Sequence, residues 1–325
     1  MSEEVSIYSK VLVHESDTDV IAQIKAFCDE NSLIGMLDLS HDILDVVKGN
    51  IDLGAIFMNN DTVKGVSAAE IARKIQQYRP EIPVFLRVTG ETEDLGISEA
   101  EEGILFAGTY TLSNLSKLQE LVNSYVFSMH YPPALVRGIQ EISEKSLVSS
   151  FKNSNLIMGH PSIVRDKTIF GEILSLIELE SSWCRGYMML QVDKPGIVES
   201  IRSGRTALTT DQAEARGIDS MLSEITNLIW GGIKARFFTS SSEKTESLYR
   251  VQVPIVVNHV DKYVTFGSDQ PQLCIRYELE DQDNSDSIIT IYQRFVFNMT
   301  WSPELFKESD MEINALVNTG ELEFF

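Results

Sequence analysis

The stretch Ile218-Asp219-Ser220-Met221-Leu222-Ser223-Glu224-Ile225-Thr226-Asn227-Leu228-Ile229-Trp230-Gly231-Gly232-Ile233-Lys234-Ala235-Arg236-Phe237-Phe238 decides how the second half of the chain folds. Its apolar residues Ile218, Met221, Leu222, Ile225, Leu228, Ile229, Ile233 and Phe237 recur at helical spacing and line one buried face. The opposite face carries Ser220, Glu224, Asn227, Gly231 and Lys234. Glu224 and Asn227 are three positions apart, which sets their side chains side by side on the wet face. Gly231, one turn further on, leaves room for something to approach. An acid and an amide are thus presented together on a rigid element, and they are the candidate working residues. The same spacing recurs at Glu120 and Asn123 in an ordinary helix, so the pair by itself identifies nothing. A solvated helix face explains it equally well, and the case rests on context.

The flanking segments supply that context. Tyr131-Pro132-Pro133 breaks any continuing helix, because two prolines cannot propagate one. Residues 134–151 return to helical periodicity. Residues 167–179 and 185–192 read as two strands paired across Glu180-Ser181-Ser182. Asp193-Lys194-Pro195 opens a short helix through Ile201, with the proline in the first turn where its missing N–H is harmless. A polar segment, 203–217, leads into the long helix. Strands are expected at 248–253, 272–279 and 287–297, the last two joined by an acidic turn. The tail, 302–325, starts a helix at Ser302-Pro303-Glu304 and ends in the apolar Glu323-Phe324-Phe325.

The first half alternates strand and helix. Short apolar runs at 10–13, 34–39, 53–58, 83–88 and 103–106 read as strands, and 17–31, 41–47, 67–78 and 112–128 as helices. Five strands alternating with helices imply a doubly wound parallel sheet covered on both faces.

At 325 residues the chain holds two domains, expected at 1–130 and 131–325. With 43% hydrophobic and 23% charged residues it has an ordinary globular composition. A net charge of −21 repels phosphate backbones and anionic lipid, which argues against a nucleic-acid partner. Cys28, Cys184 and Cys274 are scattered and odd in number, and the five histidines show no ligand spacing, so neither a disulfide framework nor a metal site of the chain's own is expected. No apolar run is long enough to span a bilayer, and the start Met-Ser-Glu-Glu-Val lacks a basic signal region. A cytoplasmic protein without membrane insertion is the expectation.

Two family resemblances follow from these residues. In the first half, Ile51-Asp52-Leu53-Gly54-Ala55-Ile56-Phe57 and Arg79-Pro80-Glu81-Ile82-Pro83-Val84 resemble strand three and the entry to strand four of response-regulator receiver domains. Receivers hold Mg²⁺ with an acidic pair after strand one and carry a phosphoacceptor Asp ending strand three. They add a Ser or Thr after strand four and a Lys after strand five. Here His14-Glu15-Ser16-Asp17 follows strand one, and the acceptor position falls on Phe57 or Met58, followed by Asn59 and Asn60. Arg87 and Val88 fill the Ser/Thr region, with Thr89 close by, and Tyr110-Thr111-Leu112 supplies no Lys. Without a carboxylate nucleophile the half is expected to be a receiver-like fold that is not phosphorylated. The rival reading is a displaced acceptor at Asp61.

The second half, over about 134–299, resembles the CheX branch of the CheC/CheX/FliY phosphatases, and the expected fold is an α+β CheX-like domain. Gly186-Tyr187-Met188-Met189-Leu190, then Glu224-Ile225-Thr226-Asn227-Leu228-Ile229 with Gly231 or Gly232 and Lys234, then Val253-Pro254-Ile255-Val256, which resembles the family's proline-containing turn, carry the resemblance in the family's order. It implies a phosphatase that removes the phosphoryl group from the aspartyl phosphate of a CheY-like partner receiver. The partner supplies Mg²⁺ and a Lys, so this chain needs no cofactor of its own. The catalytic residues would be Asn227, orienting the attacking water, and Glu224, pairing with the partner's Lys. A homodimer is likewise implied. Lys234 takes no catalytic role and Trp230 reads as packing. The competing class is a non-catalytic signalling adaptor that holds a receiver or kinase. A nucleotide-binding enzyme has little support, since Gly231-Gly232-Ile233-Lys234 lacks Walker spacing and lies inside a helix.

Overall fold

The computed structural model describes residues 6–38, 43–50, 52–60, 66–90, 95–167, 169–181, 183–206, 215–238, 253–258, 270–282 and 287–306. The first half runs β1 (Ser9–His14), α1 (Thr18–Glu30), β2 (Leu33–Leu37), α2 (Ile43–Gly49), β3 (Leu53–Asn59), α3 (Ala68–Tyr78), β4 (Val84–Arg87), α4 (Glu99–Leu105), β5 (Gly108–Tyr110) and α5 (Leu115–Tyr125). The strands form a parallel sheet in the order β2-β1-β3-β4-β5. Every residue of β3 is buried, as a central strand covered on both faces requires. Alternate residues split between two cores. Val11, Val13, Phe57 and Phe85 face α1 and α5, while Leu12, Ile56, Met58 and Leu86 face α2 and α3. A reciprocal cap between Ser67 and Glu70 starts α3, and Asp17 starts α1 by accepting from the amides of Asp19 and Val20.

One expected strand is a helix. The apolar run 103–106 closes α4. Ser98 caps its first turn through the Glu101 amide, and Glu99, Glu101 and Glu102 crowd that turn, where a helix dipole favours anions. The fifth strand follows at Gly108, where a Cβ would lie 2.6 Å from Leu121 on α5.

The second half runs α6 (Pro133–Ser150), β6 (Ser154–Met158), β7 (Ser162–Val164), β8 (Ile173–Glu180), β9 (Cys184–Val192), α7 (Lys194–Arg202) and α8 (Ala215–Ile233), which continues as a π-helical turn, Lys234–Phe238. Then come β10 (Ile255–Asn258), β11 (Gln272–Asp281), β12 (Ile288–Trp301) and a short 3₁₀ turn, Pro303–Leu305. The strands form an antiparallel sheet, β10-β8-β9-β12-β11-β6, with β7 beside β11. α6 and α8 lie together on one face. At Gly186 a Cβ would fall 2.0 Å from the Val296 carbonyl, so glycine allows β9 and β12 to approach just ahead of the irregularity between Val296 and Thr300.

Three expectations change here. The strand expected at 167–179 is shorter, because only Ile173 onward pairs with β9. Ile255 and Val256, expected in a turn, belong to β10, an edge strand whose preceding Pro254 is needed for no ladder bond. The strands β6 and β7 were not expected. Residues 248–252, most of another expected strand, and the tail beyond 306 lie outside the described residues.

The two sheets meet without a spacer. Tyr8 donates its amide to the Pro161 carbonyl at 3.0 Å, and Ile163 donates back to Tyr8 at 2.7 Å. Ser9 Oγ donates to the Ile163 carbonyl at 2.7 Å, and a Cβ on Gly54 would fall 2.0 Å from that same oxygen of Ser9. Nearby, Arg79 pairs with Glu81 at 2.6 Å and with Asp166 at 3.4 Å, and Arg294 reaches Asp166 at 3.6 Å. All four are buried. Arg79 also donates to the carbonyls of Val47, Asn50 and Arg165, and Gln272 and Arg294 donate to that of Asp166. These buried charges and their hydrogen bonds tie the end of α3 to β11 and β12.

Candidate functional site on helix α8

α8 buries Ile218, Met221, Leu222, Ile225, Ile229, Trp230 and Ile233 against the sheet and α6. Ser220, Glu224 and Asn227 are exposed, and Gly231 and Lys234 are partly so. The structure therefore brings Glu224 and Asn227 onto one open face, as the spacing requires. Glu120 and Asn123 on α5 are exposed as well, so exposure does not separate the two pairs. Their settings differ. α8 is held over β8, β9 and β10 with α6 alongside, and its contact with α6 is very close. A Cβ on Gly232 would meet Ile142 Cγ2 at 2.6 Å, and one on Gly138 would meet the Phe237 ring at 2.3 Å. Glycine on both helices lets their backbones approach at this crossing.

The π-helical turn directly follows α8, beyond the Glu224–Gly231 segment. Arg236 in it pairs with Glu141 of α6 at 2.6 Å, and the Phe237 carbonyl accepts from Trp183 Nε1 at 3.3 Å. Phe306 packs edge to face on Trp183 and lies against Phe237. The far end of α8 is thus fixed by an ion pair, a hydrogen bond and an aromatic cluster. Such turns recur where a helix is committed to a site.

Neither Glu224 nor Asn227 is covered by the first half. On β12, Gln293 accepts from Ser143 of α6 while its neighbour Arg294 reaches Asp166. Successive strand residues face opposite ways, so the junction at Asp166 and the helices lie on opposite faces of the sheet. Among the described residues α8 packs chiefly on α6, β8, β9 and β10.

In the first half, Phe57 is buried in a ring cluster with Phe27, Phe85 and Tyr110, and Met58 is buried on the opposite face. Neither is a nucleophile. Asp61 lies outside the described residues. What the loop after β1 builds is a buried carboxylate with several donors. Glu15 accepts from the amides of Ser16 and Asp17 at 2.9 and 3.1 Å, and from Asn59 Nδ2 at 2.9 Å. Arg87 donates to its other oxygen from Nε and Nη2, both at 2.8 Å. A guanidinium therefore sits beside the acid that the receiver resemblance would give to Mg²⁺. In the sequence Glu15, Asn59 and Arg87 stand far apart. The strand order joins them, since β1, β3 and β4 are neighbours and all three residues stand at carboxyl ends. Next to them His14 is buried, and desolvation lowers its pKa against the opposing pull of Asp38 and Glu15.

Among the described residues no group of three or more His, Cys, Asp or Glu side chains is placed to hold a metal ion, and no helix is long and apolar enough to cross a membrane.

No family model matches this chain, and no curated protein matches it in sequence. Solved structures are similar to parts of it. One is a response regulator receiver domain from Clostridium thermocellum, at 18% identity over 36% of this chain and 93% of that one, with a TM-score of 0.32. The N-terminal domain of a response regulator/sensory box/GGDEF protein from Carboxydothermus hydrogenoformans gives 20% identity, the same coverage of both chains and a TM-score of 0.32. A chemotactic CheC-like protein from Shewanella oneidensis MR-1 gives 16% identity over 50% of this chain and 95% of that one, with a TM-score of 0.29. The first half has a receiver-like fold on its own topology, a parallel sheet of order 2-1-3-4-5 between helices.

Proposed function

We propose that the chain acts in two-component signalling as a phosphatase for the aspartyl phosphate of a partner receiver. The observation that carries this reading is the pair Glu224 and Asn227, side by side and exposed on a helix fixed at its far end. Phosphoryl transfer depends mainly on positioning and charge stabilisation, so a partner that brings its own Mg²⁺ and Lys needs only an aligned water. The Asn227 amide oxygen accepts a hydrogen bond from that water and directs its lone pair at phosphorus. The P–O bond to the aspartate breaks as the water oxygen bonds, releasing the carboxylate and inorganic phosphate, with the water's proton passing to phosphate or solvent. Glu224 pairs with the partner's Lys and sets the register of docking. Receiver-like and CheC-like structural neighbours support the signalling context at the level of fold.

The test is the decay of aspartyl-phosphorylated receivers in Mg²⁺, with this protein and with Asn227→Ala and Glu224→Ala. Asn227→Ala is expected to lower turnover about 10²-fold at unchanged binding, the usual cost of one oriented polar group at a reacting centre. Glu224→Ala is expected to weaken docking by about tenfold, the low end for a hydrogen bond to a charge. Receivers that bind without faster decay would sink the phosphatase reading and leave an adaptor, with Glu224 a docking residue.

A further inference from the structure

We propose that the buried Thr226–Ser175 pair is the positioning device that sets the rotation of α8 about its axis and so aims Glu224 and Asn227. The proposal rests on the phosphatase reading for its kinetic consequences. Thr226 lies between the two site residues on the helix and points the other way, into the core. Both Thr226 and Ser175 are fully buried. Thr226 Oγ1 lies 2.7 Å from the Leu222 carbonyl oxygen and 2.8 Å from Ser175 Oγ. Each hydroxyl carries one hydrogen, so both contacts are satisfied when Thr226 donates to Leu222 and accepts from Ser175.

Packing alone does not explain this pair. The surroundings are aliphatic, with Leu222, Ile225 and Ile229 on α8 and Ile173 and Ile177 on β8. A valine at 226 would fill the same space, hold a helix comparably, and bury no hydroxyl. Aliphatic contact is also non-directional and lets a helix roll slightly, whereas a hydrogen bond between fixed oxygens does not. Ser175 is a firm anchor because β8 is paired on both sides, Ser175 facing Val256 on β10 and Leu190 on β9. A roll of about 10° carries a side-chain tip about 5–6 Å from the helix axis through about 1 Å. Misplacement on that scale is enough to cost a positioned group about 10²-fold in rate.

The experiment compares wild type, Thr226→Ser, Thr226→Val, Ser175→Ala and the double variant Thr226→Val/Ser175→Ala. Thr226→Val alone strands the Ser175 hydroxyl in the core, but the double variant removes both polar groups, so its melting temperature should return to near wild type. The readouts are amide hydrogen exchange over 222–230, and turnover of a receiver domain charged with acetyl phosphate in Mg²⁺. In the double variant and in Ser175→Ala we expect exchange at least tenfold faster over 222–230 only. We expect kcat down ten- to a hundredfold with KM within threefold, and Thr226→Ser within threefold of wild type in both. Turnover that recovers together with stability in the double variant, or unchanged exchange, overturns the proposal. If wild type itself fails to speed decay, the phosphatase reading falls. Exchange then decides the positioning claim alone, tenfold acceleration upholding it and no change refuting it.

Discussion

Asp166 joins the two halves through buried charge. Its carboxylate is fully buried between Arg79 at 3.4 Å and Arg294 at 3.6 Å, whose own side chains are 6% and 0% exposed. Asp166→Asn keeps the shape and removes the charge. Arg79 retains Glu81 at 2.6 Å, while Arg294 loses the carboxylate it reaches at 3.6 Å. Removing one partner of a buried pair typically costs 3–5 kcal/mol, because the other charge stays desolvated. The two contacts are longer than ideal and the amide oxygen still accepts from one guanidinium, so the expected loss lies at the low end, about 3 kcal/mol. In a chain of this size each kcal/mol moves the melting temperature by about 2 °C, giving a drop of about 6 °C. Differential scanning calorimetry at neutral pH reads this directly. A shift under about 1 °C would show that Asp166 contributes shape and not charge, and would refute the electrostatic reasoning.

Two further outcomes are expected. Gly232→Ala puts a methyl 2.6 Å from Ile142 Cγ2, a β-branched atom that cannot swing aside. Overpacking of about 1–3 kcal/mol, set against about 1 kcal/mol gained from alanine in a helix, leaves a net loss of about 1 kcal/mol in urea unfolding. A stabilised variant would mean that α6 yields at the crossing. Acid sensitivity is expected from His14, whose folded pKa is lowered from 6.5 by burial. Below 6.5 the unfolded chain takes up this proton before the folded one does, so the stability present above 6.5 is lost as pH falls toward the folded value. Unfolding free energies between pH 7.5 and 5 should fall less steeply for His14→Phe than for wild type, and parallel curves would remove His14 from the account.

How much of this was legible in the sequence depends on period and burial. β3 was plain because a six-residue apolar run between turn signals has few readings, and α8 because its apolar stripe holds for five turns. The run 103–106 misled because an apolar tetrapeptide fits either a buried strand or a helix end. The acids just before it, which favour a helix start, were the missed signal. β6 was hidden by its mixed burial at a sheet edge, where alternation is weak. β7 is only three residues long, and its partners, Tyr8 and β11, are remote in sequence. The pair Glu224 and Asn227 was legible as a pattern. The supports of its helix were not, since Ser175, Trp183 and Glu141 lie 51, 54 and 95 positions from their partners on α8 and its π turn.

The seam between the sheets has a consequence for kinetic order. A domain on a flexible leash meets its own chain at an effective concentration set by the leash, independent of how much protein is present. Here Ser9, Gly54 and Ile163 interlock at the join, and the Asp166 contacts lie on the sheet face away from α8. The first half of a molecule is thus held off its own Glu224 and Asn227. Any meeting between that half and such a helix is an encounter of two molecules, second order in protein, and is tuned by dilution.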